Sequence, residues 1–151
     1  MKAYWLDKKE GISAEELKTH GVDYEKLDLS NYQSALDGKK TAHNYVSQDI
    51  IEITSQTPNL ETILAKFDKE HLHTDDEVRF VLAGSGIFDI RSKDDRWMRV
   101  EVYGGDYISV PADRHHRFFV MDDKFIRCVR LFKDNSGWTP IYRGTKETAT
   151  V

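Results

Sequence analysis

Between residues 77 and 132 the chain is cut into short apolar segments by turn residues at nearly regular intervals, and this punctuation limits the fold more than any other feature. Val78 to Leu82 is followed by Gly84-Ser85-Gly86, and Ile87 to Arg91 by Ser92-Lys93-Asp94-Asp95. Trp97 to Tyr103 alternates, with Met98, Val100 and Val102 on one face, and ends at Gly104-Gly105-Asp106. Tyr107 to Val110 stops at Pro111, His116 to Met121 turns at Asp122-Asp123-Lys124, and Phe125 to Phe132 closes the series. Six short strands separated by glycine- and aspartate-rich turns predict a β-sandwich or small barrel.

The N-terminal half is polar and mixed, with a few helices expected around that barrel. Met1 to Leu6 reads as a short strand. Ser13 is a candidate N-cap with Glu16 three residues on, and Gly21 is the stop. Tyr24 to Leu29 is ambiguous, and Ser30 to Tyr45 includes a helical stretch. Asp49 to Ile53 reads as a strand. Pro58-Asn59 then opens a helix with Leu60, Ile63, Leu64 and Phe67 at helical spacing. His20 and His43 stand alone, without ligand spacing.

That last helix leads into Glu70-His71-Leu72-His73-Thr74-Asp75-Asp76-Glu77-Val78-Arg79. In an extended backbone residues 71, 73, 77 and 79 share a face. Two imidazoles, a carboxylate and a guanidinium would then enter one interior. Imidazole with carboxylate suits iron, nickel, copper or zinc better than magnesium or calcium. The competing reading is a solvated loop with a polar charge run. Asp75 and Asp76 are expected to be solvated turn residues, not ligands. A second strand is needed to complete a metal site, because one strand offers ligands along one line only. His115 and His116 both qualify. Alternation favours His116, which shares a face with Phe118, and leaves His115 pointing outward.

These segments resemble the two cupin motifs. His71, His73, Glu77 and Gly84 fit the first pattern in full, and Gly105, Pro111 and His116 fit the second. Asp113 and Val120 stand where the second pattern has glycine and asparagine, and Ala65 where a glycine precedes the first. Within that superfamily the chain is similar to the acireductone dioxygenases. The most specific block is Phe67-x2-Glu70-His71-Leu72-His73-x3-Glu77-Val78-Arg79-Phe80, supported by Gly84-Ser85-Gly86-x-Phe88-Asp89-x-Arg91 and Arg130-Leu131-Phe132.

The resemblance implies a mainly β protein, a cupin-type barrel or jelly roll with a few peripheral helices. It implies one Fe(2+) or Ni(2+) per chain on His71, His73, Glu77 and His116. The implied reaction is the cleavage of 1,2-dihydroxy-3-keto-5-methylthiopentene by O2 in methionine salvage. Iron directs it to formate and the keto acid 2-keto-4-methylthiobutyrate, nickel to methylthiopropionate, formate and CO. Arg79 is expected to hold a substrate oxygen, the alternative being a buried ion pair. Glu70 either takes part in proton transfer, orients a ligand, or faces solvent at the end of the preceding helix. Phe118 is the expected wall for the methylthio tail, whereas Phe80, of opposite parity to Glu77, is expected outside the barrel. Competing readings are another cupin oxygenase, a non-enzymatic metal-binding cupin, and a zinc-dependent isomerase.

Composition narrows the field further. At 151 residues one domain is expected, spanning 1–143 with a flexible tail over 144–151, and Trp138 and Tyr142 are expected to dock on the barrel. The net charge is -4 and no basic run exists, which speaks against a nucleic-acid partner. No apolar stretch approaches the ~18 residues of a membrane span. Met1 to Asp7 lacks the apolar segment of a signal peptide. The single cysteine, Cys128, cannot form an internal disulfide and sits in an apolar run, as a buried thiol would. A cytoplasmic monomer is the expectation, extending to the nucleus in a eukaryote.

Overall fold

A fifteen-residue strand, Glu77–Arg91, is the spine of the structure. The computed structural model describes residues 1–133 and 141–143. Its elements run β1 (Lys2–Trp5), α1 (Ala14–Thr19), β2 (Asp23–Lys26), α2 (Tyr32–His43), β3 (Ser47–Ile53), α3 (Leu60–Phe67), β4 (His71–Leu72), β5 (Glu77–Arg91), β6 (Trp97–Tyr103), β7 (Asp106–Val110), β8 (His116–Val120), β9 (Ile126–Phe132) and β10 (Ile141–Tyr142). All strand pairs are antiparallel. The first part of β5 pairs with β7 and β9, and its second half with β6 and β8. Because one strand belongs to both walls, the sheet curls into the expected cupin-type barrel, with β3 beside β9, β2 beside β7, and β1 beside β6.

The expected break at Gly84-Ser85-Gly86 is absent. The strand runs through it, with a register shift between Val81 and Ala83. Gly84 has φ 81°, and the Phe125 carbonyl oxygen lies 2.2 Å from where a Cβ would stand. The glycines therefore mark a bend where two backbones nearly touch, which is the other common meaning of glycine inside a strand. This region therefore holds five strands, one of them fifteen residues long, where six were expected. The ambiguous stretch after Gly21 contains β2, and the helix after Ser30 is a full twelve residues. Ser13 caps α1 as expected, its Oγ accepting from Glu16 N at 3.1 Å.

The interior face follows the strand period of two. Phe88, Ile90, Met98, Val100, Val102, Ile108, Val110, Phe118 and Ile126 form one buried cluster. The start of β5 is buried on both faces. Val78 and Phe80 join Leu36, Tyr45, Tyr107, Val129 and Leu131 in a second cluster, where the Tyr32 ring of α2 lies 5.0 Å from that of Phe80. Phe80 is thus outside the barrel interior yet only 1% exposed. Glu77 and Arg79, of the other parity, are left to face inward. Trp138 and residues 144–151 lie outside the described residues; Tyr142 docks through β10 against β4.

Gly84→Ala should cost about 1–3 kcal/mol from the strained conformation alone, with the backbone clash added. Thermal unfolding should show a fall of at least about 3 °C. An unchanged Tm would mean that the chain crosses Phe125 elsewhere.

Candidate metal centre

Four side chains from three strands and one loop converge at one end of the barrel. His71 lies in β4, His73 one residue beyond it, and Glu77 and His116 open β5 and β8. The expected single extended strand is not what holds the first three. The chain bends at residues 74 and 75, so the ligands surround a point where a straight strand would have set them in line. His71 and His116 are direct cross-strand partners. One ligand atom from each of His71, His73, Glu77 and His116 lies within 4.8 Å of the others. All four residues are buried. His115 does not join them: it is half-exposed, and its carbonyl accepts from Arg91 N at 2.9 Å.

The backbone sets the rings. His71 Nδ1 is 2.6 Å from the Lys69 carbonyl oxygen, and His116 Nδ1 is 3.0 Å from that of Arg114. A carbonyl only accepts, so Nδ1 carries the proton in both rings and Nε2 presents its lone pair. Those two Nε2 atoms, together with Glu77 Oε2, are buried and make no hydrogen bond. Buried acceptors left orphaned in this way call for a cation. The donor set of three imidazoles and one carboxylate, with the His71 and His116 tautomers fixed by carbonyls, fits a divalent transition metal.

The electrostatics agree. Burial, and then the charge of neighbouring His116, push the His71 imidazole down to about 4, so it is neutral and ready to ligate. For Glu77, burial acts to raise the pKa. The charge of Arg79, the nearby His116 ring and the hydrogen bond with His73 outweigh it and hold the carboxyl well below its usual range.

The loop carrying His73 is tied to the loop before β8. Asp76 accepts from the Tyr45 hydroxyl at 2.8 Å and from Ala112 N at 2.9 Å. Asp113 N donates to the His73 carbonyl at 2.7 Å. Asp76 is therefore a structural bridge and not a solvated turn residue. Asp113 has φ 62°, the left-handed conformation that glycine adopts freely and aspartate tolerates. This explains how Asp113 can occupy the position where the cupin pattern has glycine. Tyr45, Asp76 and Asp113 were not legible as site-building residues, because their partners are distant in sequence.

Arg79 is 1% exposed. Its Nε lies 3.7 Å from Glu77 Oε2, and Nη1 donates to the Cys128 sulfur at 3.5 Å. Its guanidinium carbon is 5.4 Å from the centre of the Phe118 ring and 5.9 Å from that of Phe67. The ion pair with Glu77 and a place beside the ligands thus coexist. Glu70 is not at a helix end, since α3 stops at Phe67. Its carboxylate accepts from Arg91 at 3.1 and 3.2 Å and from Arg143 at 2.6 Å. Cys128 is a fully buried thiol, as expected.

The chain matches the family described as ARD/ARD' over residues 4–140. It is 40% identical over 143 residues to the acireductone dioxygenase of Heterostelium pallidum, covering 95% of this chain and 98% of that one. It is 49% identical over 114 residues to that of Bacillus cytotoxicus, covering 76% and 67%. Among solved structures, the Bacillus anthracis acireductone dioxygenase with a cadmium ion in its active centre superposes with a TM-score of 0.88. The identity is 33%, and 93% and 97% of the two chains are covered.

His116→Ala should abolish stoichiometric uptake of a divalent transition metal, and His115→Ala should retain it, as read by elemental analysis after desalting. The opposite result would place the fourth ligand one residue away. The unfolded state binds a proton at His71 near the ordinary 6.5, the folded state only near 4. Folding stability of the metal-free protein should therefore fall as pH drops through that window, by up to roughly 3 kcal/mol from this residue. Urea unfolding at pH 7 and 4.5 should show a smaller fall in His71→Leu than in wild type.

Proposed function

This chain belongs to the ARD/ARD' family, and from that premise we propose that it is a metal-dependent acireductone dioxygenase. The observation carrying the proposal is the buried quartet of His71, His73, Glu77 and His116 with its orphaned Nε2 and carboxylate oxygen. In this reading the substrate is 1,2-dihydroxy-3-keto-5-methylthiopentene, the co-substrate is O2, and the pathway is methionine salvage. The resident metal is Fe(2+) or Ni(2+), held by those four residues. When bound, it supplies Lewis acidity and redox reach to the substrate's enediolate oxygens.

The protein's own contributions follow from the geometry. Three neutral imidazoles and one carboxylate leave a divalent site with one net positive charge, so an anionic enediolate is attracted. The Arg79 guanidinium adds a second fixed cation, in a buried setting where charge is weakly screened. We assign it the binding of a substrate oxygen, and in this role its pair with Glu77 fixes its orientation. The rings of Phe67 and Phe118 meet edge to face at 6.5 Å. They make an apolar wall that excludes water and takes the methylthio tail. Burial would raise the Glu70 carboxyl, but Arg91 and Arg143 outweigh it and hold it low. That supports an ionised anchor, fastening the entry to β4 and so the position of His71, in preference to a proton acceptor. The Arg143 N–H to Glu70 carbonyl bond at 3.1 Å reinforces the same anchor. The reading also takes the protein as a cytoplasmic monomer. Among the described residues no helix is long and apolar enough to cross a membrane.

Metal-free protein reloaded separately with Fe(II) and Ni(II) should consume acireductone and O2. Mass spectrometry should find formate and 2-keto-4-methylthiobutyrate with iron, and CO with methylthiopropionate and formate with nickel. Stoichiometric metal with decay of acireductone at the uncatalysed rate would sink the proposal. Arg79→Lys should keep its metal but lose about tenfold or more in kcat/KM, because an ammonium cannot reproduce the planar fork.

A further inference from the structure

The Gly84-Ser85-Gly86 motif has two glycines, and only the first is explained by the backbone. Gly86 is not in a positive-φ conformation. A Cβ on it would lie 2.7 and 2.8 Å from Cε1 and Cζ of Phe118, and 3.1 Å from Cδ1 of Ile126. The missing side chain therefore makes room for one aromatic ring.

The strand register gives the direction in which that ring leans. Across β5 and β8, Ile90 pairs with His116, Phe88 with Phe118, and Gly86 with Val120. These pairs form successive layers running away from the metal ligands, about 7 Å apart. The tip of the Phe118 ring meets Gly86, so the ring reclines one layer away from His116. Phe88, 4.9 Å from it centre to centre, and Phe67 brace its sides. A methyl group at residue 86 would push the ring tip back toward the ligand layer and toward Arg79, whose guanidinium carbon is 5.4 Å from the ring's centre.

We infer that Gly86 is a specificity-determining residue, acting through Phe118. By letting the ring recline, it sets the depth of the apolar space beside the metal ligands, and so which tail an enediol substrate can carry. The tail class is a thioether or alkyl arm of a few heavy atoms. This rests on the reaction proposed above and adds the residue that sizes its tail site.

The test compares two substrates on iron-loaded protein: acireductone with its methylthioethyl arm, and an analogue with a methyl group in its place. In Gly86→Ala, KM for the long-tailed substrate should rise about tenfold or more. Its kcat, and both constants for the short analogue, should stay within about threefold, which a general loss of folding would not produce. Metal content should be unchanged. Adding Phe118→Leu, which removes the colliding ring tip, should recover most of the long-tail KM. Equal losses on both substrates, or no change in preference, would overturn the inference. If Gly86→Ala alone does not fold, the double variant decides: recovery of folded, metal-loaded protein supports the steric pairing with Phe118, and continued failure overturns it. Wild-type protein that turned over neither substrate would refute the reaction itself; wild-type turnover with an unaltered preference in the variant refutes only the role of Gly86.

Discussion

Three imidazoles and a carboxylate face one another in a buried space, and this arrangement makes demands on everything around it. Removing such groups from water without partners costs several kcal/mol. A cation repays that cost only if the donors already point inward. The protein secures this with backbone carbonyls: those of Lys69 and Arg114 take the Nδ1 protons of His71 and His116. Each carbonyl lies two residues before the histidine that it orients. The ring orientation is thus built into the local chain, and the barrel only has to bring the two segments side by side, which the His71–His116 pairing does.

The spine strand solves a second problem. The start of the strand that carries Glu77 and Arg79 is buried on its other face as well, unlike β6, whose outer face is partly exposed. The second cluster, under α2, provides this, with Val78 and Phe80 packed against Tyr32, Leu36 and Tyr107. The N-terminal elements are therefore more than decoration. They seal the outer face of β5, while Tyr45, just after α2, reaches Asp76 and steadies the loop between His73 and Glu77. Pair electrostatics then finish the site: in this buried setting the Arg79 charge keeps Glu77 ionised although burial opposes it.

What the sequence made legible was whatever short range specifies. The His71, His73 and Glu77 spacing, the alternation that favours His116 over His115, the alternation of β6 and the Ser13 cap are each local, and the resemblance joins the two ligand segments. What was not legible depended on where another segment lies. The bend at residues 74 and 75 exists because ligands must surround a point, and no local signal announces it. Asp76 reads as a turn acid until Tyr45 and Ala112 are placed against it. Glu70 reads as a solvent-facing helix end until Arg91 and Arg143 arrive from β5 and from just beyond β10. Phe80 was assigned outside the barrel by parity, but parity alone could not show that a helix buries it there.

Gly84-Ser85-Gly86 shows the same limit most sharply. Two glycines flanking a serine between apolar runs carry the usual mark of a turn. Here each meets a different long-range contact. Gly84 admits the Phe125 backbone with a left-handed φ, whereas Gly86 admits the Phe118 ring with an ordinary one. Both contacts come from segments more than thirty residues downstream in the sequence, one in β8 and one just before β9. Glycine in this strand therefore encodes space for a partner and not a reversal of the chain. A pattern-based reading can tell the two apart only by asking what approaches each missing side chain.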